Sequence, residues 1–193
     1  GPLGAVALAC ASLTGSVILI LWSALYGFLA PVGILVARAF GAGDFERVAS
    51  VVAHGRWLAV AIGVGSALAM VAMLAVLPAA GQPPEVVAAI GSYWVAMALV
   101  MIPYSMNLVF KQLLDAIDRP WTGVGLMFIA VVVNVPLNFG LIHGLWGLPR
   151  LGLLGAGVAT FVAEVASLGA FYAYWRFAAS MAGVRHAVKV GRR

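Results

Sequence analysis

From Pro120 to Pro149 the chain carries no Asp, Glu, Lys or Arg. A helix that crosses a bilayer needs about 20 consecutive apolar residues, and this stretch is longer than that. Such a run can only sit in lipid or deep inside a large core. Composition decides between the two. The 193 residues are 64% hydrophobic and 9% charged, whereas an ordinary soluble domain is roughly 25% charged. Too few charges remain to wet the outside of a globule, so the chain reads as a membrane protein.

Charged residues divide it into five spans, giving an all-α, polytopic transmembrane bundle. The spacing predicts helices over residues 5–36, broken near Pro31, and over 57–77, 86–110, 121–142 and 153–175. The gaps "ARAFGAGDFER", "PAAGQPPE", "KQLLDAIDRP" and "HGLWGLPRLG" each contain Gly or Pro, the punctuation of helix ends. In the first gap Gly41 and Gly43 suit a helix C-terminus, and Asp44 suits the N-cap of the next helix. Trp57, Trp94, Trp121, Trp146 and Trp175 fall near span ends and read as interfacial anchors. Cys10, the one cysteine, lies in an apolar run and reads as a small hydrophobe.

The net charge of +5 is not a nucleic-acid patch. All of the 11 Lys and Arg except Arg150 fall in the first gap, the third gap, the last-span end and the tail, or close beside them. By the positive-inside rule that side is cytoplasmic. The chain then starts outside, which predicts a further span upstream and makes it an internal piece of a longer multi-pass protein. His54, His143 and His186 lie far apart without acidic or thiol neighbours, so no metal spacing appears. No nucleophile–base pair or phosphate-cradling loop appears either, which argues against an enzyme.

Polar residues at membrane depth carry the functional signal. Asn134 and Asn138 are four residues apart, one turn along a single helix face. Pro136 between them removes one backbone hydrogen bond and frees a carbonyl near Val132. Freed backbone at this depth is tolerated where it is buried in protein or lines a watery cavity. Amides and a free carbonyl are neutral ligands suited to a cation, a water or a protonated acid. Glu164 stands near the centre of the last span, where an ionised carboxylate costs about 2.5–3.5 kcal/mol on insertion scales. A carboxyl that exchanges a proton there is a proton-relay candidate; the alternative is a permanently protonated tie to a neighbouring helix. Thr160 precedes it by one turn on the same face. Gly155, Ala159, Ala163 and Ser167 form a small-residue ladder that lets another helix approach closely. Tyr104 and Asn107 add polar groups beside Pro103. The candidate ion or substrate cavity is therefore Asn134, Pro136, Asn138, Thr160 and Glu164.

Two stretches resemble a known family. "VARAFGAGDFERV" is similar to the junction between the second and third helices of multidrug and toxic compound extrusion (MATE) transporters. "NVPLNFGLIHGLWGLPRLGLLGAGVAT" resembles the fifth and sixth helices of the NorM-like branch. The resemblance implies a twelve-helix protein of two lobes in the bacterial inner membrane, exporting cationic amphipathic compounds in exchange for protons or sodium. It needs no other cofactor. Residues 1–179 would be helices two to six of the N-terminal lobe, and residues 180–193 a basic cytoplasmic connector. The partners implied are the lipid bilayer, small cationic substrates and the C-terminal lobe. In such relatives the positions of Asn134, Asn138 and Thr160 take part in proton or cation binding. Some members have Asp where Asn138 stands, a departure that weakens a direct proton role for Asn138. Glu164 matches no general motif of the family and stands on its chemistry alone.

Two other classes fit the composition. A lipid-linked precursor flippase of the same superfamily would need basic residues for an anionic headgroup, and the spans hold none at depth. A non-transporting membrane scaffold would explain the small-residue ladder, but not Glu164 or the Asn-Pro-Asn face.

Overall fold

A computed structural model describes residues 4–178 and 181–183. Five helices make up almost all of it: α1 (Gly4–Gly41), α2 (Phe45–Met73), α3 (Pro84–Ala116), α4 (Pro120–His143) and α5 (Leu153–Phe177). No strand occurs among the described residues. The shortest helix, α4, has 24 residues, about 36 Å at 1.5 Å per residue, against a hydrocarbon core of about 30 Å. All five are long and apolar enough to cross a membrane. Most of the connector expected over 180–193 lies outside the described residues.

α3 is the spine, packing against each of the other four helices. Its most apolar window is 56% buried inside the chain, against 11% for α4. α1 and α2 pair on one side of the spine, and α4 and α5 form an antiparallel hairpin on another. The outer sides carry Phe128, Val132, Val135 and Phe139 of α4, all exposed, as suits a helix bathed in lipid.

Lipid tails are as apolar as leucine, so close packing rather than hydrophobic exclusion holds such helices together. Small residues at the crossings make that packing possible. A Cβ on Gly63 would lie 2.5 Å from Ser105 Oγ and 3.0 Å from the Met101 carbonyl. α2 and α3 touch there, and Ser105 Oγ donates to the Ala59 carbonyl at 2.8 Å. The ladder on α5 works in the same way: Gly155, Ala159, Ala163 and Ser167 are all buried. Ser167 Oγ donates to the Leu126 carbonyl of α4 at 3.0 Å.

The first gap folds as its residues predict. Gly43 takes φ +72°, a left-handed conformation with no penalty for glycine. Asp44 caps α2, its Oδ1 accepting the Arg47 N–H at 2.9 Å. Asp44→Ala should cost about 1 kcal/mol, the usual worth of such a cap. A lowered unfolding temperature of the detergent-solubilised full-length protein, with transport intact, would show it.

Two expectations need correction. α1 is not broken near Pro31; it runs through the proline as one helix of 38 residues. Proline costs a helix one backbone bond, and the spine supplies a polar contact nearby: the Gly33 N–H donates to Gln112 Oε1 of α3 at 2.9 Å. Pro103 and Pro136 also lie within continuous helices. Trp94, in turn, is not an interfacial anchor. It is fully buried, and its Nε1–H donates to the Met70 carbonyl of α2 at 2.6 Å. The last turn of α2 tightens, with Leu74 N–H bonding Val71 and Ala72 carbonyls. That leaves the Met70 carbonyl for the indole, since a helix end always has carbonyls to satisfy. Trp57, Trp121 and Trp146 are exposed, with Trp57 well inside α2 rather than at its end. Trp175 instead lies 6.2 Å from Phe110, centroid to centroid.

Candidate functional site

The close approach of α4 and α5 sets one row of polar groups. Asn134 Nδ2 donates to Thr160 Oγ1 across the two helices at 3.2 Å. Asn138 Nδ2 donates to Asn134 Oδ1 at 2.9 Å. Thr160 Oγ1 in turn donates to the Ala156 carbonyl at 2.9 Å. Because the threonine proton is spent on Ala156, its oxygen must accept, which fixes Asn134 with its amino side toward Thr160 and its carbonyl toward Asn138. The row thus runs in one direction, Asn138 to Asn134 to Thr160 to backbone. All three side chains are half-buried. One N–H of each amide and the Asn138 carbonyl keep capacity for another polar group. The oxygens are uncharged ligands of the kind a cation or a protonated group accepts, and the free N–H groups suit a polar acceptor.

Pro136 does not join them. It is exposed, as is Val132 at 59%, so the proline presents on another side of α4 from the two asparagines. Glu164, one turn beyond Thr160 on α5, reaches a different neighbour. Asn107 of α3 donates its Nδ2–H to Glu164 Oε2 at 2.7 Å and to the Glu164 carbonyl at 3.1 Å. Asn107 is 0% exposed. Its Oδ1 has no hydrogen-bond partner among the described residues. Beside the pair, Tyr104 of α3 stacks on Trp22 of α1 at 4.7 Å. Three of the five expected site residues, Asn134, Asn138 and Thr160, therefore meet at the α4–α5 seam, while Glu164 faces α3 through Asn107.

Asn107 completes the Glu164 contact and Gln112 the separate contact with Gly33 of α1, and sequence spacing did not single out either role. Asn107 stood out only as a polar residue near Pro103. Its partner is 57 residues away, a relation no local pattern encodes. Open grooves occur elsewhere, of about 430 Å³ between α1 and α2 beside Arg47, Ser50 and His54, and of about 400 Å³ between α1 and α3 beside Tyr26, Gln112 and Asp115. Neither is lined by the polar row, which opens onto the face of the bundle.

The MatE family model matches residues 1–139 of the chain. The chain belongs to the MATE family of transporters. It is 35% identical over 179 residues to a probable multidrug resistance protein NorM of Bradyrhizobium diazoefficiens, covering 93% of this chain and 38% of that protein. It is 33% identical over 162 residues to the NorM protein of Rhodopseudomonas palustris, covering 84% of the chain and 34% of the relative. The chain thus spans little more than a third of the curated relatives it matches. Among solved structures, it is similar to an inward-facing multidrug resistance MATE family transporter of the MOP superfamily, with TM-score 0.79 and 23% identity, over 90% of this chain and 38% of that one. An outward-facing conformation of such a transporter matches with TM-score 0.80 and 24% identity, over 92% of this chain and 38% of that one. MATE family members are multi-pass membrane transporters rather than enzymes, and five membrane-length helices agree with that.

Proposed function

We propose that this chain is helices two to six of the N-terminal lobe of an exporter. The exporter moves cationic, amphipathic small molecules out of a bacterial cell in exchange for protons or sodium ions. The observation that carries the reading is the half-buried row Asn138–Asn134–Thr160, set at depth on two spanning helices. A row of neutral oxygen and amide groups suits a cation, and no Lys or Arg stands among the three. An anionic lipid headgroup would want basic side chains there.

Transport by alternating access rocks one lobe against another around a site between them. The likeness of this five-helix unit to an inward-facing and an outward-facing chain is nearly equal. That suits a lobe that keeps its internal packing while the lobes move. The Lys and Arg bias supports an orientation with the α1–α2 and α3–α4 junctions in the cytoplasm.

The test is efflux from proteoliposomes holding the full-length protein, with a fluorescent lipophilic cation inside. The expected result is efflux driven by an imposed gradient of protons or of sodium. No efflux under either gradient, from protein that elutes as folded, would overturn the reading.

A further inference from the structure

We propose that Glu164 and Asn107 form a proton-carrying pair inside this lobe, separate from the Asn138–Asn134–Thr160 row. Its use in coupling rests on the exporter reading above; its proton occupancy does not. The pair crosses from α5 to α3, away from the α4 contact that holds Thr160.

One orphaned atom carries the inference. Asn107 Oδ1 is buried and has no donor among the described residues. Turning the amide over does not help. The Glu164 backbone carbonyl, 3.1 Å from Nδ2, can only accept, so the amino group must face it. Asn107 is sealed within this chain at 0% exposure, so a segment from elsewhere cannot reach it without opening the bundle. The group already beside the amide is the Glu164 carboxyl, with Oε2 accepting from Nδ2 at 2.7 Å. As a carboxylate it offers no donor. With a proton on Oε1 it becomes one, and carboxylic acid and amide then close edge to edge through two bonds. N–H donates to Oε2, and O–H donates to Oδ1. An unmade bond to a buried acceptor is costly, so the geometry favours the loaded state and leaves release possible.

The exchange balances simply. Glu164 carboxylate takes one proton from hydronium, giving the carboxylic acid and water; release is the reverse, and no other bond changes. Glu164 is only partly buried, so its carboxyl keeps a route that Asn107 lacks. The titratable group that faces it from α3 is Tyr104. Further along α3, Lys111 is engaged with Asp115. α4 brings no titratable side chain except His143 at its far end. On α5 itself the others are Tyr172, Tyr174 and Arg176, two turns or more away.

Glu164→Gln is the informative variant. Glutamine offers one acceptor and one N–H donor on the same edge, so it copies the loaded pair while losing the exchange. The measurement is infrared difference spectroscopy of the full-length protein in nanodiscs, titrated from acid to alkaline pH in sodium-free buffer and again with sodium. The expected result is a protonated-carboxyl band that titrates, is absent in Glu164→Gln and is shifted in frequency in Asn107→Leu. A band unchanged in Glu164→Gln would overturn the pair. So would a band whose midpoint moves with sodium, because the orphaned oxygen and the carboxylate would then be holding a metal cation. Efflux by the same preparations separates the two levels: a titrating Glu164 band with no efflux in the wild type refutes the exporter reading and leaves the proton pair standing. Efflux in the wild type without that band does the opposite.

Discussion

Asn134→Leu is expected to reduce efflux about tenfold or more while leaving the fold in place. Asn134 is the middle link of the row, donating to Thr160 and accepting from Asn138. Leucine removes both bonds and sets an apolar branch where a cation would be held. Tenfold in rate corresponds to about 1.4 kcal/mol. The stability side is small and partly cancels. Interhelical polar bonds in membranes are worth about 0.6–2 kcal/mol each, while leucine is itself favourable at helix depth. Asn138→Leu should act in the same direction but less, because it removes the outer link and leaves the Asn134–Thr160 bond intact. Efflux in proteoliposomes, normalised to protein recovered as a single folded species, separates the two effects. Normal rates in both variants, with a lowered unfolding temperature, would assign the asparagines to helix cohesion alone.

Much of the architecture was legible because it follows from solvent. Runs such as Trp121–Ile142 have one stable fate in a bilayer, and α4 matches that expectation within a residue at each end. Asp44 and Gly43 were legible for a local reason, since a cap and a left-handed turn are decided by the residue and its nearest neighbours. Their misread counterparts all depend on a distant element. Pro31 looked like a break because local rules see only the lost backbone bond, not the packing of α1 against α3. Trp94 looked like an anchor because sequence shows its distance from a span end, not the Met70 carbonyl waiting across the helix crossing. Boundaries at the charged ends moved outward for a different reason, since a charge ends an apolar run without ending the helix. α2 starts at Phe45 rather than Trp57, and Arg47 and Arg56 lie within its N-terminal turns. At the candidate site, the face shared by Asn134 and Asn138 was visible as a spacing of four. The junction of Glu164 with Asn107 was not, because it is written in the packing of α5 on α3.

Gly155→Leu is expected to cost both stability and transport, unlike Asn134→Leu. A Cβ at Gly155 would fall 2.8 Å from the Leu141 carbonyl carbon and oxygen, and real Cβ atoms do not approach backbone so closely. Leu141 cannot yield by turning a side chain. Its carbonyl also accepts the Leu151 N–H at 2.8 Å, tying the α4–α5 connection to the same spot. The helices must therefore separate or slide. Overpacking of an ordinary core costs about 1–3 kcal/mol, and an obstacle made of backbone belongs at or above the top of that range. Separation then acts on the site. Asn134 and Thr160 are already 3.2 Å apart, near the limit of a hydrogen bond, so a shift of half an ångström or so breaks the row. Ser167 loses the Leu126 carbonyl for the same reason. Gly155→Ala should show the same losses in milder form, since it brings the colliding atom without the bulk beyond it. Unfolding temperature and efflux measured together on the full-length protein check this. Both should fall in parallel from glycine to alanine to leucine, and a leucine variant as stable and as active as the parent would show that α4 and α5 do not need this contact to hold the asparagine row together.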